Sequence, residues 1–165
     1  MCYARMPRPG PPEAVTKKAA APMATPTPVR HILAINDDPE ILKVYTELLT
    51  EEGYLVSVEL MPPADLGDVH AIGPDLIVLD LVVRGQERGT DFLALLRGNP
   101  STRSLPVLVC SADTQRLEEL DAQLRAWDCD VLAKPFDIDV FAEAIRSGLA
   151  GDLSSGWSGT GVVAD

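Results

Sequence analysis

The sequence has few cysteines, few basic residues and no long apolar run, and each shortage excludes a class of protein. The three cysteines, an odd number, lack the close Cys/His spacing of a zinc site and do not suggest a disulfide framework. The 14 Lys and Arg against 25 Asp and Glu give a net charge of −11, which would repel a phosphate backbone, so we expect no direct nucleic-acid binding. No segment approaches the roughly 18 apolar residues of a membrane span, and residues 1–28 lack the apolar stretch of a secretory signal. The sequence therefore predicts a cytoplasmic protein that does not contact membranes.

The two ends of the chain differ in composition from its middle. Residues 1–28 hold seven of the 14 prolines and few large apolar side chains, which predicts a disordered arm. Residues 151–165 are rich in Gly and Ser, contain Trp157, and are expected to form a loose tail. The remaining residues, 29–150, have the length of a single domain.

Residues 29–150 alternate between strand-like and helix-like segments. This alternation is typical of a doubly wound α/β domain, in which helices cover both faces of a parallel sheet. Continuous apolar runs are expected in such a sheet because its strands are buried on both faces. The five predicted strands are His31–Ile35, Tyr54–Leu60, Leu76–Leu79, Pro106–Cys110 and Val131–Ala133.

Five helices are predicted to follow these strands. The first has Asp38 as its N-cap, Pro39 in its first turn and Gly53 just past its end. The later helices are expected within residues 62–73, from about Asp91 to Arg97, around Leu117, Leu120 and Leu124, and after Asp137. The residues expected on the inner face of the last helix are Val140, Phe141, Ala144, Ile145 and Leu149.

Four polar residues lie at or just after predicted strand ends: Asp37, Asp80, Ser111 and Lys134. The working site of an open parallel sheet lies beyond the carboxyl ends of its strands, so these residues are expected to lie near one another. Each of them alone has an ordinary explanation as a turn residue, a strand end or a solvated charge. Together they suit phosphoryl transfer, because Mg²⁺ would relieve the repulsion between the two carboxylates. Lys134 and the Ser111 hydroxyl would then contact the phosphoryl oxygens, and Asp80 would be the nucleophile.

Four stretches of the sequence resemble the receiver domain of bacterial two-component response regulators. They are Ile35–Glu40 (INDDPE), Leu76–Asp80 (LIVLD), Val107–Ala112 (VLVCSA) and Lys134–Phe136 (KPF). The separations are 43 residues from Asp37 to Asp80, 31 from there to Ser111 and 23 from there to Lys134, close to those of the family. The resemblance covers residues 29–150 and implies a flavodoxin-like fold with strand order 2-1-3-4-5.

The resemblance implies a role for each strand-end residue. Asp80 would be the phosphoacceptor, Asp37 a Mg²⁺ ligand, Ser111 the switch hydroxyl and Lys134 the partner of the phosphoryl group. Val82 would offer its backbone carbonyl to the metal. The peptide bond between the lysine and the proline that follows it is expected to be cis.

The resemblance also implies partners. A histidine kinase or a histidine phosphotransfer protein would supply the phosphoryl group, and the domain would catalyse only its own phosphoryl transfer and dephosphorylation. The segment after residue 150 is too short for an output domain, so we expect a stand-alone receiver that signals through protein contacts. The expected output surface consists of the Thr114–Ala126 helix, the fifth strand and the last helix, and homodimer formation stays open.

The chain departs from the family pattern at three places. Asn36 stands where the family usually has the first acid of a pair, and that acid typically holds the metal through a water, so we expect weakened, indirect Mg²⁺ binding there. Val131 stands where receivers usually carry Tyr or Phe, so the aromatic half of the usual switch is absent. After Asp80, Arg84 replaces the usual Pro and Gly89 comes about one residue late, which is expected to reshape partner contacts.

Two other functions stay open. Asn36 and Val131 motivate a pseudo-receiver, a protein-binding module that keeps the fold and acts without phosphorylation. A phosphohydrolase of the haloacid-dehalogenase type also uses an aspartate nucleophile and Mg²⁺. That family needs two acids separated by one residue after the first strand. Here Asn36 takes the place of an acid in the pair with Asp38, and Pro39 does so in the pair with Asp37.

Overall fold

The computed structural model describes residues 26–151. The predicted arm therefore lies outside the described residues except for residues 26–28, and the predicted tail with Trp157 lies outside them beyond residue 151. Five strands and five helices alternate along the described part of the chain. They are β1 (His31–Ile35), α1 (Pro39–Glu51), β2 (Leu55–Glu59), α2 (Leu66–Ile72), β3 (Leu76–Leu79), α3 (Arg88–Gly98), β4 (Val107–Ser111), α4 (Thr114–Ala126), β5 (Asp130–Ala133) and α5 (Ile138–Ala150).

The five strands form one parallel sheet in the order β2-β1-β3-β4-β5, which confirms the predicted fold. The order reverses between β1 and β3, where Ile35 pairs with Leu79. Farther along the sheet, Ser111 at the end of β4 pairs with Ala133 at the end of β5. The residues that follow these strands therefore meet at one edge of the sheet, beside the reversal point.

Alternate residues of each strand enter two apolar layers, one on each face of the sheet. Leu33, Ile77 and Val109 pack in the layer covered by α2, α3 and α4. Their neighbours Ala34 and Val78 pack in the layer covered by α1 and α5. Each fully buried large aliphatic side chain contributes about 1.5–3 kcal/mol, and the two layers together fix the strand ends that carry the site.

The structure differs from the prediction at one residue of the inner face of α5. Phe141 and Ile145 are buried, and Ala144 and Leu149 pack against the same layer, as predicted. Val140 was also expected on this face, but it is 49% exposed. Ala142 and Gly148 complete the buried face. The helix packs closely at its glycine, because a Cβ at position 148 would lie 2.7 Å from Leu76 Cδ1. The helix approaches β3 along its glycine, and Val140 falls outside the contact.

Candidate functional site

The β1–α1 junction places three polar residues at the edge of the sheet. Asn36 is buried, and its main-chain N–H donates to Glu59 of β2. Asp38 caps α1, since its side chain accepts the Glu40 N–H at 2.9 Å, as predicted. Because Asp38 is engaged at the helix, Asp37 is the carboxylate of this junction that is free to serve the pocket.

Asp80 lies directly after β3 and is 13% exposed. Its Oδ2 accepts hydrogen bonds from Lys134 Nζ at 2.9 Å and from Asn36 Nδ2 at 3.2 Å. Its Oδ1 accepts from the main-chain N–H of Val82 at 3.1 Å. The carboxylate is thus held by three donors that come from three separate strand ends and loops.

The loop between β3 and α3 brings Asp37 into the site. Val83 and Gln86 exchange main-chain hydrogen bonds across a tight turn whose central residues, Arg84 and Gly85, have φ angles of 52° and 70°. This turn aims the main-chain N–H of Arg84 at Asp37 Oδ2, at 2.8 Å. Asp37 and Asp80 therefore bond to N–H groups of the same short loop.

Gly89 lets this loop fold back onto Asp80. It lies in the first turn of α3, and a Cβ there would lie 2.0 Å from the carbonyl oxygen of Asp80 and 2.6 Å from the Cα of Leu81. The close approach explains why α3 begins at Arg88, three residues earlier than predicted. Gly89 was noted in the sequence only as a loop glycine.

Ser111 and Lys134 reach the same edge from β4 and β5. The main-chain N–H of Lys134 donates to the Ser111 carbonyl at 2.9 Å, and the buried Ser111 hydroxyl accepts the N–H of Asp113 at 3.2 Å. The Lys134–Pro135 bond is cis, as predicted. The next residue, Phe136, stacks on Phe141 of α5 with ring centroids 5.4 Å apart.

A neutral wall lies behind the pocket, and the sequence did not indicate it. Burial raises the pKa of Tyr45 above its usual range, and the neighbouring Cys110 thiol and Asp80 carboxylate raise it further. Burial likewise raises the pKa of Cys110 to about 12. Both groups are therefore uncharged at neutral pH. A buried, uncharged wall lowers the local dielectric constant and strengthens the attraction between Asp80 and Lys134.

The oxygen donors of the pocket suit a hard divalent cation. Within residues 26–151 no group of three or more His, Cys, Asp or Glu side chains is placed to hold a metal ion. Mg²⁺, however, is usually held by only one or two carboxylates and keeps several waters. Asp37 and Asp80 fit that requirement. Asn36 was predicted to contribute weakly to Mg²⁺ binding through a water, and this role stays a prediction. In the structure its amide donates a hydrogen bond to Asp80.

Val131 lies in the edge strand β5 and packs against the apolar layer beneath α4. It is half-buried, and the gap that it shares with Leu117, Asp121 and Leu124 holds only about 10 Å³. This gap is too small to hold an aromatic ring.

A sizeable cleft in the described part of the chain does not belong to this site. It holds about 410 Å³ between the C-terminal ends of α3 and α4, where Arg97, Arg103 and Trp127 line it. Arg97 is occupied there by the carbonyl oxygens of Trp127 and Leu105, at 2.7 and 2.9 Å. None of the strand-end residues lines this cleft.

In the same range of residues, no helix is both long enough and apolar enough to span a bilayer.

Comparison with known proteins identifies the family. A family model described as the response regulator receiver domain matches residues 32–146. Transcriptional regulatory protein KdpE of Mycobacterium tuberculosis is 34% identical over 116 residues, which cover 70% of this chain and 49% of that protein. Regulatory protein VirG of Agrobacterium tumefaciens is 30% identical over 124 residues, covering 74% and 44%. The chain spans about half or less of the length of these curated relatives.

Solved structures show the same fold. A sensor protein from Polaromonas sp. JS666 superposes with a TM-score of 0.66 at 24% identity, covering 75% of this chain and 98% of that one. The chemotaxis response regulator CheY4 of Vibrio cholerae gives a TM-score of 0.63 at 20% identity, covering 73% and 98%.

Proposed function

The chain belongs to the response regulator receiver domain family, and on that basis we propose that Asp80 accepts a phosphoryl group in a two-component system. The observation that carries the proposal is the partly buried Asp80 carboxylate, paired with Lys134 Nζ at 2.9 Å beyond the carboxyl end of β3. Receiver domains act as signalling modules. The predicted donor is accordingly a histidine kinase or a histidine phosphotransfer protein.

In the proposed reaction an oxygen of Asp80 attacks the phosphorus of a phosphohistidine. The P–N bond breaks, its electron pair stays with the imidazole of the donor, and an acyl phosphate forms on Asp80. Lys134 lies against the same carboxylate and would pair with the negative phosphoryl oxygens once they arrive. Ser111 carries a hydroxyl proton that it would donate to one of these oxygens.

Asp37, Asp80 and the backbone carbonyl of Val82 would hold Mg²⁺ in this proposal. When bound, Mg²⁺ would neutralise part of the charge of the transferring phosphoryl group. The loop orients both carboxylates beforehand, because the N–H groups of Val82 and Arg84 each bond to one of them.

We propose that the signal leaves through α4, β5 and α5. Two contacts link the pocket to α4. The Ser111 hydroxyl accepts the N–H of the capping residue Asp113, and Arg116 of α4 pairs at 2.7 Å with Glu87 at the end of the β3–α3 loop. Ile138 at the start of α5 is 58% exposed and offers apolar surface beside the site. The chain carries a net charge of −11, which would repel a phosphate backbone. The predicted partner of this face is therefore a protein.

Two observations favour a phosphorylation-independent binding module as the second candidate. The Asp80 carboxylate already has three hydrogen-bond donors, and Val131 lacks the aromatic ring of the usual switch. The fold and the output face would serve such a module equally well.

Intact-protein mass spectrometry separates the two candidates. The purified protein would be incubated with Mg²⁺ and acetyl phosphate, and we expect it to gain the mass of one phosphoryl group. Asp80→Asn should abolish the gain, whereas Asp68→Asn, which changes an exposed aspartate on α2, should not. A folded wild type that gains no mass would favour the binding module, and a gain that survives Asp80→Asn would exclude Asp80 as the acceptor.

A further inference from the structure

Asn36 is a buried polar residue of the site that the proposed reaction does not use. It follows β1 and is only 2% exposed. Its Oδ1 accepts the main-chain N–H of Asp38 at 2.9 Å, and its Nδ2 donates to Asp80 Oδ2 at 3.2 Å. Both polar ends of the amide are therefore engaged, one by the helix start and one by the proposed nucleophile.

These contacts determine which way the amide faces. In the reverse orientation, the NH₂ group would meet the N–H of Asp38, donor against donor. The amide oxygen would then meet the Asp80 carboxylate, acceptor against acceptor. Such unmade hydrogen bonds are costly in a buried site. Asn36 thus presents a hydrogen-bond donor to the pocket, and its oxygen is committed to Asp38.

The arrangement distinguishes the two oxygens of Asp80. Oδ2 accepts from both Lys134 and Asn36, whereas Oδ1 accepts only from the main-chain N–H of Val82. We propose, on the basis of the function proposed above, that Asn36 is a positioning residue that holds Oδ2 together with Lys134. Oδ1, which has the fewer donors, is then the oxygen that attacks phosphorus, and three donors keep the carboxylate from rotating.

The same amide weakens the pocket as a cation site. An N–H group carries positive partial charge and repels a cation, whereas an aspartate at this position would add a third carboxylate beside Asp37 and Asp80. Asn36 therefore orients the nucleophile before a cation binds and lowers the affinity for that cation.

Calorimetric titration with Mg²⁺, in the absence of any phosphodonor, tests the cation effect. Asn36→Asp keeps an oxygen for the N–H of Asp38 and should tighten Mg²⁺ binding about tenfold or more. Asn36→Ala should change the affinity no more than about threefold. The matched control is Asn99→Asp at the other asparagine of the chain, which lies just after α3. It adds the same charge at the opposite edge of the sheet and should leave Mg²⁺ affinity unchanged.

The rate of phosphorylation by acetyl phosphate, measured across Mg²⁺ concentrations, tests the positioning effect. Asn36→Ala should lower the maximal rate about tenfold with little change in the half-saturating Mg²⁺ concentration. Asn36→Ser keeps a hydroxyl donor and should recover part of that rate. Asn36→Leu also removes the donor, and it replaces the alanine variant if circular dichroism shows the latter unfolded. The proposal is overturned if Asn36→Asp binds Mg²⁺ no more tightly than the wild type, or if removal of the donor leaves the maximal rate unchanged. A wild type that accepts no phosphoryl group would refute the proposed function instead, while the titration would still decide the effect of Asn36.

Discussion

Replacing Gly89 by alanine probes how the β3–α3 loop is held against Asp80. In an exposed helix this change would stabilise the protein by about 1 kcal/mol, because alanine has the higher helix propensity. Here the new Cβ would lie 2.0 Å from the carbonyl oxygen of Asp80 and 2.6 Å from the Cα of Leu81. These are backbone atoms and cannot rotate away. Overpacking of this kind costs about 1–3 kcal/mol. After the propensity gain is subtracted, we expect a net loss of up to about 2 kcal/mol in the free energy of unfolding.

Urea denaturation measures this loss, and Gly98→Ala at the end of the same helix is the matched control. No atom lies within 4 Å of the Cβ that alanine would place there, so the control should be neutral or stabilising by up to about 1 kcal/mol. Gly89→Ala should also slow phosphorylation by acetyl phosphate, since the loop that displaces to relieve the clash carries the Val82 N–H bonded to Asp80. If Gly89→Ala were as stable and as reactive as the wild type, the described loop packing would be wrong.

Two further predictions concern charges. Lys134→Met should lower the free energy of unfolding by about 1–3 kcal/mol, because the 13% exposed Asp80 carboxylate loses its cation. The loss should shrink in an Asp80→Asn background and be absent in the exposed control Lys43→Met. Equal losses with and without Asp80→Asn would contradict the pairing. Burial raises the pKa of Asp130 in the folded state, and the charge of Asp128 raises it further. Ionisation of Asp130 therefore opposes folding. Stability is lost as the pH rises from the ordinary pKa of aspartate through the raised pKa. Asp130→Asn should therefore stabilise the protein at neutral pH, with the gain vanishing in urea titrations below about pH 4; a gain that does not depend on pH would refute this cause.

The sequence predicted the fold because its signals are local. Apolar runs of strand length, the N-cap at Asp38 and the glycine after α1 each lie within a few residues, and their alternation is sufficient for a doubly wound sheet. One detail of α5 was not predictable in this way. Val140 is as apolar as its neighbours but stays exposed, and the close approach of Gly148 to Leu76 is a contact that only the folded chain brings about.

The same distinction between local signals and tertiary contacts applies to the candidate site. The sequence by itself determined which groups stand at the strand ends, because a parallel sheet carries every residue after a strand to one edge. Tertiary structure alone decided how these groups are joined. Tyr45 and Cys110 form one wall although they are far apart in the chain, and the N–H of Arg84 reaches Asp37 through a turn. The Asn36 amide faces Asp80 as a donor because the N–H of Asp38 occupies its oxygen. Residue type is written in the sequence, but the direction of a hydrogen bond depends on every atom around it, and folding brings those atoms together.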